Sequence, residues 1–452
     1  MLRLGHGAAA LSIALAFLPA ARPAAAALTA EEAVRLALRN NSNVVRAEAG
    51  VLDAKSGLYS SYAAILPSLS ASLVRDNRVV EGNVGYFGSL PVEQDQESHG
   101  TTPQINATWN LFDLSSLTSF QSARAGLAAA RHTRESARND VVLSTLSQFY
   151  ETVRTIHLAS VASGALRVAR DNERRARALF EVGSVSRSDL LKAQVQTAQS
   201  ELDSLTASQA IVNQRIALAQ QLGVAEEGLG EIDTVLTATA AEVDEAAILA
   251  EAAGNRPDVR AAEAELRAAK AARLAARLGR LPYVSLSGGA TFDARSRTTN
   301  TTVRGISPFI PEGIDANESE TDRTVSWRVA LNWDVFDGLR TDAASASAEA
   351  RLRRARDAHD ALKRNLASEV RQAVLAYREA AERARVAARA VESAQENLNL
   401  TQQKYNVGSA TILELVDAQV QATRAAADGV SARAAIRIAE ARLDRVRGRG
   451  AR

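Results

Sequence analysis

Glu414 and Asp417 stand three residues apart, just beyond Val407-Gly408-Ser409. That spacing puts both carboxylates on one helix face. Paired carboxylates can focus negative potential and favour cations, or they can be the solvated face of a charged helix. Other chemistry has little to stand on. The histidines, His6, His99, His132, His157 and His359, are scattered and form no His-Glu-x-x-His pair. No lysine follows a glycine, so there is no phosphate-binding P-loop, and no Gly-x-Ser-x-Gly elbow appears. Cysteine is absent, which excludes disulfides, thiolate metal sites, a cysteine nucleophile and a lipid-anchored N-terminal cysteine. No catalytic, cofactor or metal site is expected.

The elements that position those carboxylates are read from proline placement. Of the nine prolines, none lies in residues 104–256 or 312–452. Proline breaks helix interiors, so these tracts leave room for very long helices. The chain of 452 residues is 46% apolar and 23% charged, which is no disordered composition. It begins Met-Leu-Arg, runs apolar from about Ala8 to Leu18 and ends that segment Ala24-Ala25-Ala26-Ala27. This pattern predicts a secretory signal peptide over 1–27, cleaved near Ala27. The apolar run is too short for a membrane anchor, which needs ~20 residues. Beyond Arg3 and Arg22 of that leader, basic and acidic residues balance at 52 each. Nucleic acid is therefore not an expected partner.

The chain repeats itself. Val45-Arg46-Ala47 returns as Val259-Arg260-Ala261, and Leu66-Pro67 as Leu281-Pro282. Trp109-Asn110-Leu111-Phe112-Asp113 returns as Trp333-Asp334-Val335-Phe336-Asp337. Val182-Gly183-Ser184 and Ala193-Gln194-Val195-Gln196 return as Val407-Gly408-Ser409 and Ala418-Gln419-Val420-Gln421, both at an offset of 225. Five blocks in constant order predict a tandem duplication. The expected boundaries are a first repeat over 28–225, a linker over 226–240, a second repeat over 241–447 and a tail over 448–452. The offset grows between the Leu-Pro and Trp blocks, so the second copy has the longer loop there.

Each copy reads alike. A moderate helix starts near Thr29 or Pro257; Thr29 with Glu32 is a capping box. It ends before Pro67 or Pro282. Alternation of period two follows at 68–73 and 104–111, then at 284–292 and 325–335, and marks strands with one apolar and one polar face. All three tryptophans, Trp109, Trp327 and Trp333, read onto apolar strand faces. Helical runs then extend over about 114–180 and 338–405, ~100 Å each at 1.5 Å per residue. Gly183 and Gly408 mark tight turns, each followed by a helix of ~35 residues whose small apolar residues suit coiled-coil packing. The strands fit either a soluble sheet capping a stalk or membrane strands. Four of them cannot close a barrel, since about eight is the practical minimum.

These motifs resemble a known family. An exported leader, Leu28-Thr29-Ala30-Glu31-Glu32-Ala33, Ile65-Leu66-Pro67-Ser68-Leu69-Ser70, the Trp-Asn-Leu-Phe-Asp block, Asn255-Arg256-Pro257-Asp258 and Tyr405-Asn406-Val407-Gly408-Ser409 together resemble the TolC family of outer-membrane efflux and type I secretion channels. The resemblance spans the whole mature chain. It implies a mainly α fold with a small β part, in which four strands per chain join a homotrimeric twelve-stranded β-barrel in outer-membrane lipid. The long helices would continue the barrel as an α-barrel through the periplasm. The connections 75–101 and 294–323 would be extracellular loops. A periplasmic adaptor, joined to an inner-membrane pump of the RND, ABC or MFS type, would dock at tips carrying Gly183, Ser184, Gly408 and Ser409.

The resemblance also assigns roles at the tips. Glu414 and Asp417 match acidic rings at the tunnel's narrow end, where three copies would gather six carboxylates. Asp189 and Tyr405 match an acidic residue and a tyrosine that hold the tip closed. Ala410 stands where some members have a gate arginine, a departure that counts against a closing Arg-Asp latch, and Arg187 lies near enough to be considered in its place. Trp109, Trp327 and Trp333 would be membrane-interface aromatics. A channel of this kind performs no catalysis, and its energy comes from its partner. The competing readings are a non-conducting periplasmic coiled-coil structural or adaptor protein, a surface receptor or adhesin, and a secreted enzyme.

Overall fold

The computed structural model describes residues 27–87, 90–237, 241–302 and 313–449. The leader expected over 1–27 lies outside them except for Ala27, as do residues 88–89, the end of the linker expected over 226–240, residues 303–312 and the end of the tail. The elements are α1 (Ala30–Asn40), α2 (Ser42–Ala63), β1 (Ser68–Phe87), β2 (Leu90–Phe112), α3 (Leu114–Glu181) and α4 (Arg187–Leu222), then α5 (Glu245–Asn255), α6 (Pro257–Leu278), β3 (Tyr283–Thr302), β4 (Gly313–Asn332), α7 (Arg340–Asn406) and α8 (Ile412–Arg447). A short 3-10 turn, Glu226–Gly228, follows α4. The second six elements repeat the order of the first six.

The expected single helix before each strand pair is two helices. Asn41 separates α1 from α2 in an extended conformation (ψ 130°), and its side-chain amide donates to the Gln221 carbonyl at 2.9 Å. In the second half α5 precedes the helix expected from Pro257. Proline forces the residue before it out of the helical region, and Arg256 accordingly has ψ 122° between α5 and α6.

Contacts divide the chain into two units. One comprises Met1–Asn41, Ser144–Ala240 and Glu379–Ile438. Within it the backbone of Leu28 bridges Ile232 in parallel, and Ala33, Val34 and Ala37 of α1 are buried together with Leu218 and Leu222 of α4. α4 and the parts of α3, α7 and α8 in this unit bury many small side chains, among them Ala169, Ala176, Ala193 and Ala418. Small residues allow helix axes to approach closely.

The other unit comprises Ser42–Leu143, Ala241–Arg378 and Ala439–Arg452. It holds one antiparallel sheet in the order β1-β2-β3-β4. Paired residues share a face. Ala71, Ile105, Ala290 and Val325 make one apolar row across all four strands, and Leu69, Ala107, Gly288 and Trp327 make the next. Ser72, Gln104, Ser285 and Asn332 lie on the opposite face. There Gln104 donates to Ser72 at 2.8 Å and Asn332 to Ser285 at 3.0 Å.

The strands run far beyond the alternating segments. Residues 75–87 and 90–101 pair as a continuation of the β1·β2 hairpin, and 294–302 with 313–323 continue β3·β4. The expected loops at 75–101 and 294–323 are therefore mostly strand. Alternation marks only the part of a sheet with one apolar face, whereas the backbone ladder extends through residues that do not alternate, such as the adjacent Val79 and Val80. Most of the extra length of the second copy falls in 303–312. Pro103 lies inside β2 and lacks an N–H. The β2·β3 ladder skips Thr102 and Pro103, and the Thr102 hydroxyl donates instead to Asp293 at 2.5 Å. β4 ends at Asn332, so Trp333 and Val335 follow the strand rather than belonging to it.

Candidate functional site

The two tips are built by the same local rules. At the end of α3 the Gly183 N–H donates to the Phe180 carbonyl and the Ser184 N–H to the Leu179 carbonyl. At the end of α7 Gly408 donates to Tyr405 and Ser409 to Lys404. These are Schellman closures, which need a left-handed residue after the helix. Gly183 and Gly408 supply it, both at φ +75°. The next helix begins after a capping hydroxyl. Ser186 Oγ accepts from the Asp189 N–H at 3.2 Å and donates to the Asp189 carboxylate at 2.7 Å. Thr411 Oγ1 accepts from the Glu414 N–H at 3.3 Å, and Glu414 Oε2 accepts from the Thr411 N–H at 3.1 Å.

Asp189 and Glu414 are thus repeat-equivalent third residues of two capping boxes. Reading them for charge alone misses that shared role. The signal for it was the Ser-x-x-Asp and Thr-x-x-Glu spacing directly after each turn. Their neighbours differ in sign: Lys192 of α4 occupies the position of Asp417 in α8 and lies 3.3 Å from Asp189. Glu414 and Asp417 are both exposed on α8.

Asp189 and Tyr405 line one cleft of ≈ 520 Å³, together with Leu179, Ser184, Lys192 and Thr411. Tyr405 is 7% exposed and packs against Ile412 and Leu415 of α8, with Leu179 and Ala410 beside them. Its hydroxyl is buried and makes no hydrogen bond among the described residues. Burial, reinforced by the Asp189 charge, pushes the phenol above its ordinary range and keeps it neutral. The Ser186 hydrogen bond, aided by Lys192, holds the Asp189 carboxyl below its ordinary range. The pair shares a cleft and an electrostatic interaction, not a hydrogen bond. Arg187 is exposed and forms no ion pair among the described residues.

In the sheet-bearing unit, Trp109 Nε1 donates to the Ile65 carbonyl at 2.8 Å and Trp333 Nε1 to the Arg280 carbonyl at 3.2 Å. Each bond ties the end of the second strand of a pair to the helix–strand junction before the first. Trp327 lies on the apolar face of β4 and is 78% exposed; Leu69 on β1 is 76% exposed. A continuous apolar face left this open fits lipid far better than water. Among the described residues no helix is long and apolar enough to cross a membrane.

A charged cluster in the same unit carried no assigned role in the sequence, although it centres on the Asn-Arg-Pro-Asp block. Arg256, 4% exposed, donates to both Asp258 oxygens (3.0 and 2.5 Å) and to Glu369 at 2.5 Å. Glu369 also pairs with Arg445, which reaches Asp140 at 2.9 Å. Burial alone would raise the Asp258 carboxyl, but the hydrogen bonds and charge of Arg256 outweigh it and hold the pKa low.

The model of the family described as outer membrane efflux protein matches residues 33–224 and 248–449, once over each half. The chain belongs to that family. Its membership makes it an outer-membrane efflux channel. Nodulation protein T of Rhizobium leguminosarum bv. trifolii is 27% identical over 368 residues, covering 79% of this chain and 72% of that protein. Among solved structures, the CmeC outer membrane channel of Campylobacter jejuni superposes with a TM-score of 0.76 at 16% identity, over 93% of this chain and 86% of that one. The outer membrane protein VceC of Vibrio cholerae gives 0.72 at 20% identity, over 93% and 96%. At these identities the structures speak for the fold. It is that of the family's channels: long helices with a small four-stranded antiparallel sheet.

Proposed function

We propose that three copies of this chain form one passive conduit from the periplasm to the exterior. The observation that carries this is the sheet. Its apolar face is open at Leu69 and Leu73 of β1, Ile105 and Trp109 of β2, Phe292 of β3 and Val325 and Trp327 of β4, and β1 and β4 are edges without a strand partner among the described residues. Four strands cannot close a barrel, and an open edge cannot persist in lipid. Three copies would supply twelve strands and remove every edge. In this reading the chain is exported by the leader over 1–27 and resides in the outer membrane. Two duplicated repeats, 28–225 and 241–447, flank the linker 226–240 and precede the tail 448–452.

A periplasmic adaptor docks at the tips through the surface shaped by Gly183, Ser184, Gly408 and Ser409, and an inner-membrane RND, ABC or MFS pump supplies the energy. Glu414 and Asp417 of three copies form an acidic ring that favours cations. Asp189 and Tyr405 bias the tip between closed and open. Trp109, Trp327 and Trp333 sit at membrane interfaces. The cargo is a drug, a small molecule or a secreted protein, selected by the pump.

The test is planar-bilayer conductance of protein purified from outer membranes. A trimeric, cation-preferring pore is expected. Oligomers that never conduct would instead support a periplasmic structural protein.

A further inference from the structure

Asn172 of α3 and Gln419 of α8 join the two halves of the chain. Asn172 Nδ2 donates to Gln419 Oε1 at 2.9 Å, and Gln419 Nε2 donates to the Ala165 carbonyl at 3.1 Å. Both side chains are 3% exposed. A buried amide pair fixes register, because sliding either helix would leave donor and acceptor unpaired away from water.

The offset of 225 that relates the two tips carries this contact onto three other residues. Ala165 maps to Ala390, Asn172 to Asn397, and Gln419 back to Gln194. All three are identical to their counterparts. Flanking pairs are not: Glu173 maps to Leu398, Arg174 to Asn399, and Lys192 to Asp417. Asn397 of α7 is nevertheless exposed and Gln194 of α4 only half-buried, and neither makes a hydrogen bond to the described residues.

The helix order explains why. Thr197 of α4 donates to the Ala169 carbonyl of α3 at 3.3 Å. Gly429 of α8 lies so close to α7 that a Cβ there would meet Val391 at 2.9 Å. With Asn172–Gln419 between α3 and α8, the order is α4-α3-α8-α7. The cross-repeat seam is central, and α4 and α7 are left at the flanks. A head-to-tail contact whose rotation closes generates a ring. In a duplicated chain, the contact between first and second repeats recurs between the second repeat of one copy and the first of the next.

We propose that Asn397 of one copy donates to Gln194 of the next copy, while that Gln194 donates to the Ala390 carbonyl of the first. This inter-subunit lock sets the register of the helical ring just above its tips, by the bonding that joins the repeats within each chain. It rests on the reading that copies of the chain close into a ring.

The absence of cysteine makes the test clean. The full-length protein carrying Gln194→Cys and Asn397→Cys is purified from outer membranes and treated with a short bismaleimide. Covalent dimers and trimers are expected on denaturing gels, with none from either single variant. Asn172→Cys with Gln419→Cys calibrates the reach of the reagent and should link within one chain, at monomer mass. If light scattering shows an intact trimer and the calibration pair links, absence of intermolecular product overturns the lock and spares the ring. A link between positions 194 and 397 of one chain overturns it as well. Absence of any oligomer overturns both the lock and the ring. The near-isosteric pair Gln194→Glu and Asn397→Asp adds a second reading. Two facing carboxylates should make trimers dissociate at lower temperature on heated gels, and an unchanged dissociation temperature overturns the lock.

Discussion

Gly183 and Gly408 take φ +75° with open space where an added Cβ would lie. Sterics with neighbours therefore do not require glycine there, but the left-handed conformation does. Alanine at either site is expected to cost ~1 kcal/mol, visible as a lower thermal midpoint without loss of helix content. At Gly223 and Gly448 both reasons apply. Each has φ above +60°, and a Cβ would lie 2.9 Å from the backbone of Asn40 or Arg256. Substitution there should be costlier than at the tips. The Arg256 cluster makes a pH prediction with a definite sign. A carboxyl whose folded pKa is depressed contributes stability above its unfolded pKa, and that stability is lost as pH falls through the folded value. Asp258 is such a group. Melting of the wild type should weaken as pH falls through and below the ordinary carboxylate range. Asp258→Asn should already be weaker at neutral pH and show a shallower acid dependence. Equal acid slopes in the two proteins would remove Asp258 from the cause.

The helices were legible in the sequence at element scale because proline and caps bound them. The 114–180 and 338–405 expectations differ from α3 and α7 by at most two residues at either end. The strands were half legible. Alternation found the apolar band but not its extension, since Arg75 to Phe87 and Leu90 to Thr101 pair through the backbone with no regular alternation to advertise it, Val79 and Val80 being adjacent. The capping roles of Asp189 and Glu414 were legible but masked by their charge. The Asn172–Gln419 contact joins residues 247 apart, and only the fold brings them together. The two faces of β4 make a paired prediction. Arginine at Val329, on the apolar face of β4 between Trp327 and Trp333 and exposed there, would place charge in lipid at a cost of up to ~2–4 kcal/mol. Lysine at Arg328, on the opposite face, should be tolerated. The readout is the yield of heat-modifiable trimer in outer membranes. Equal yields would mean that the apolar face does not meet lipid.

Across the whole molecule, the duplication makes one chain nearly two equivalent repeats, and the departures from equivalence are where direction enters. Glu414 and Asp417 give α8 two carboxylates on one face, while the same positions in α4 hold Asp189 and Lys192, which neutralise each other at 3.3 Å. A trimeric ring would therefore draw its negative potential from the second repeats alone. Glu414→Gln separates charge from structure, because glutamine serves a capping box as well as glutamate does. Combined with Asp417→Asn, it should leave trimer stability within the small range typical of surface changes, about ±0.5 kcal/mol. It should also lower the cation-over-anion permeability ratio of single channels in planar bilayers, most clearly at low salt, where screening is weakest. Removing the positive charge by Lys192→Gln should shift the ratio the opposite way, since it frees Asp189 from its partner. If the double neutralisation left selectivity intact, the field that selects cations would have to arise elsewhere along the conduit.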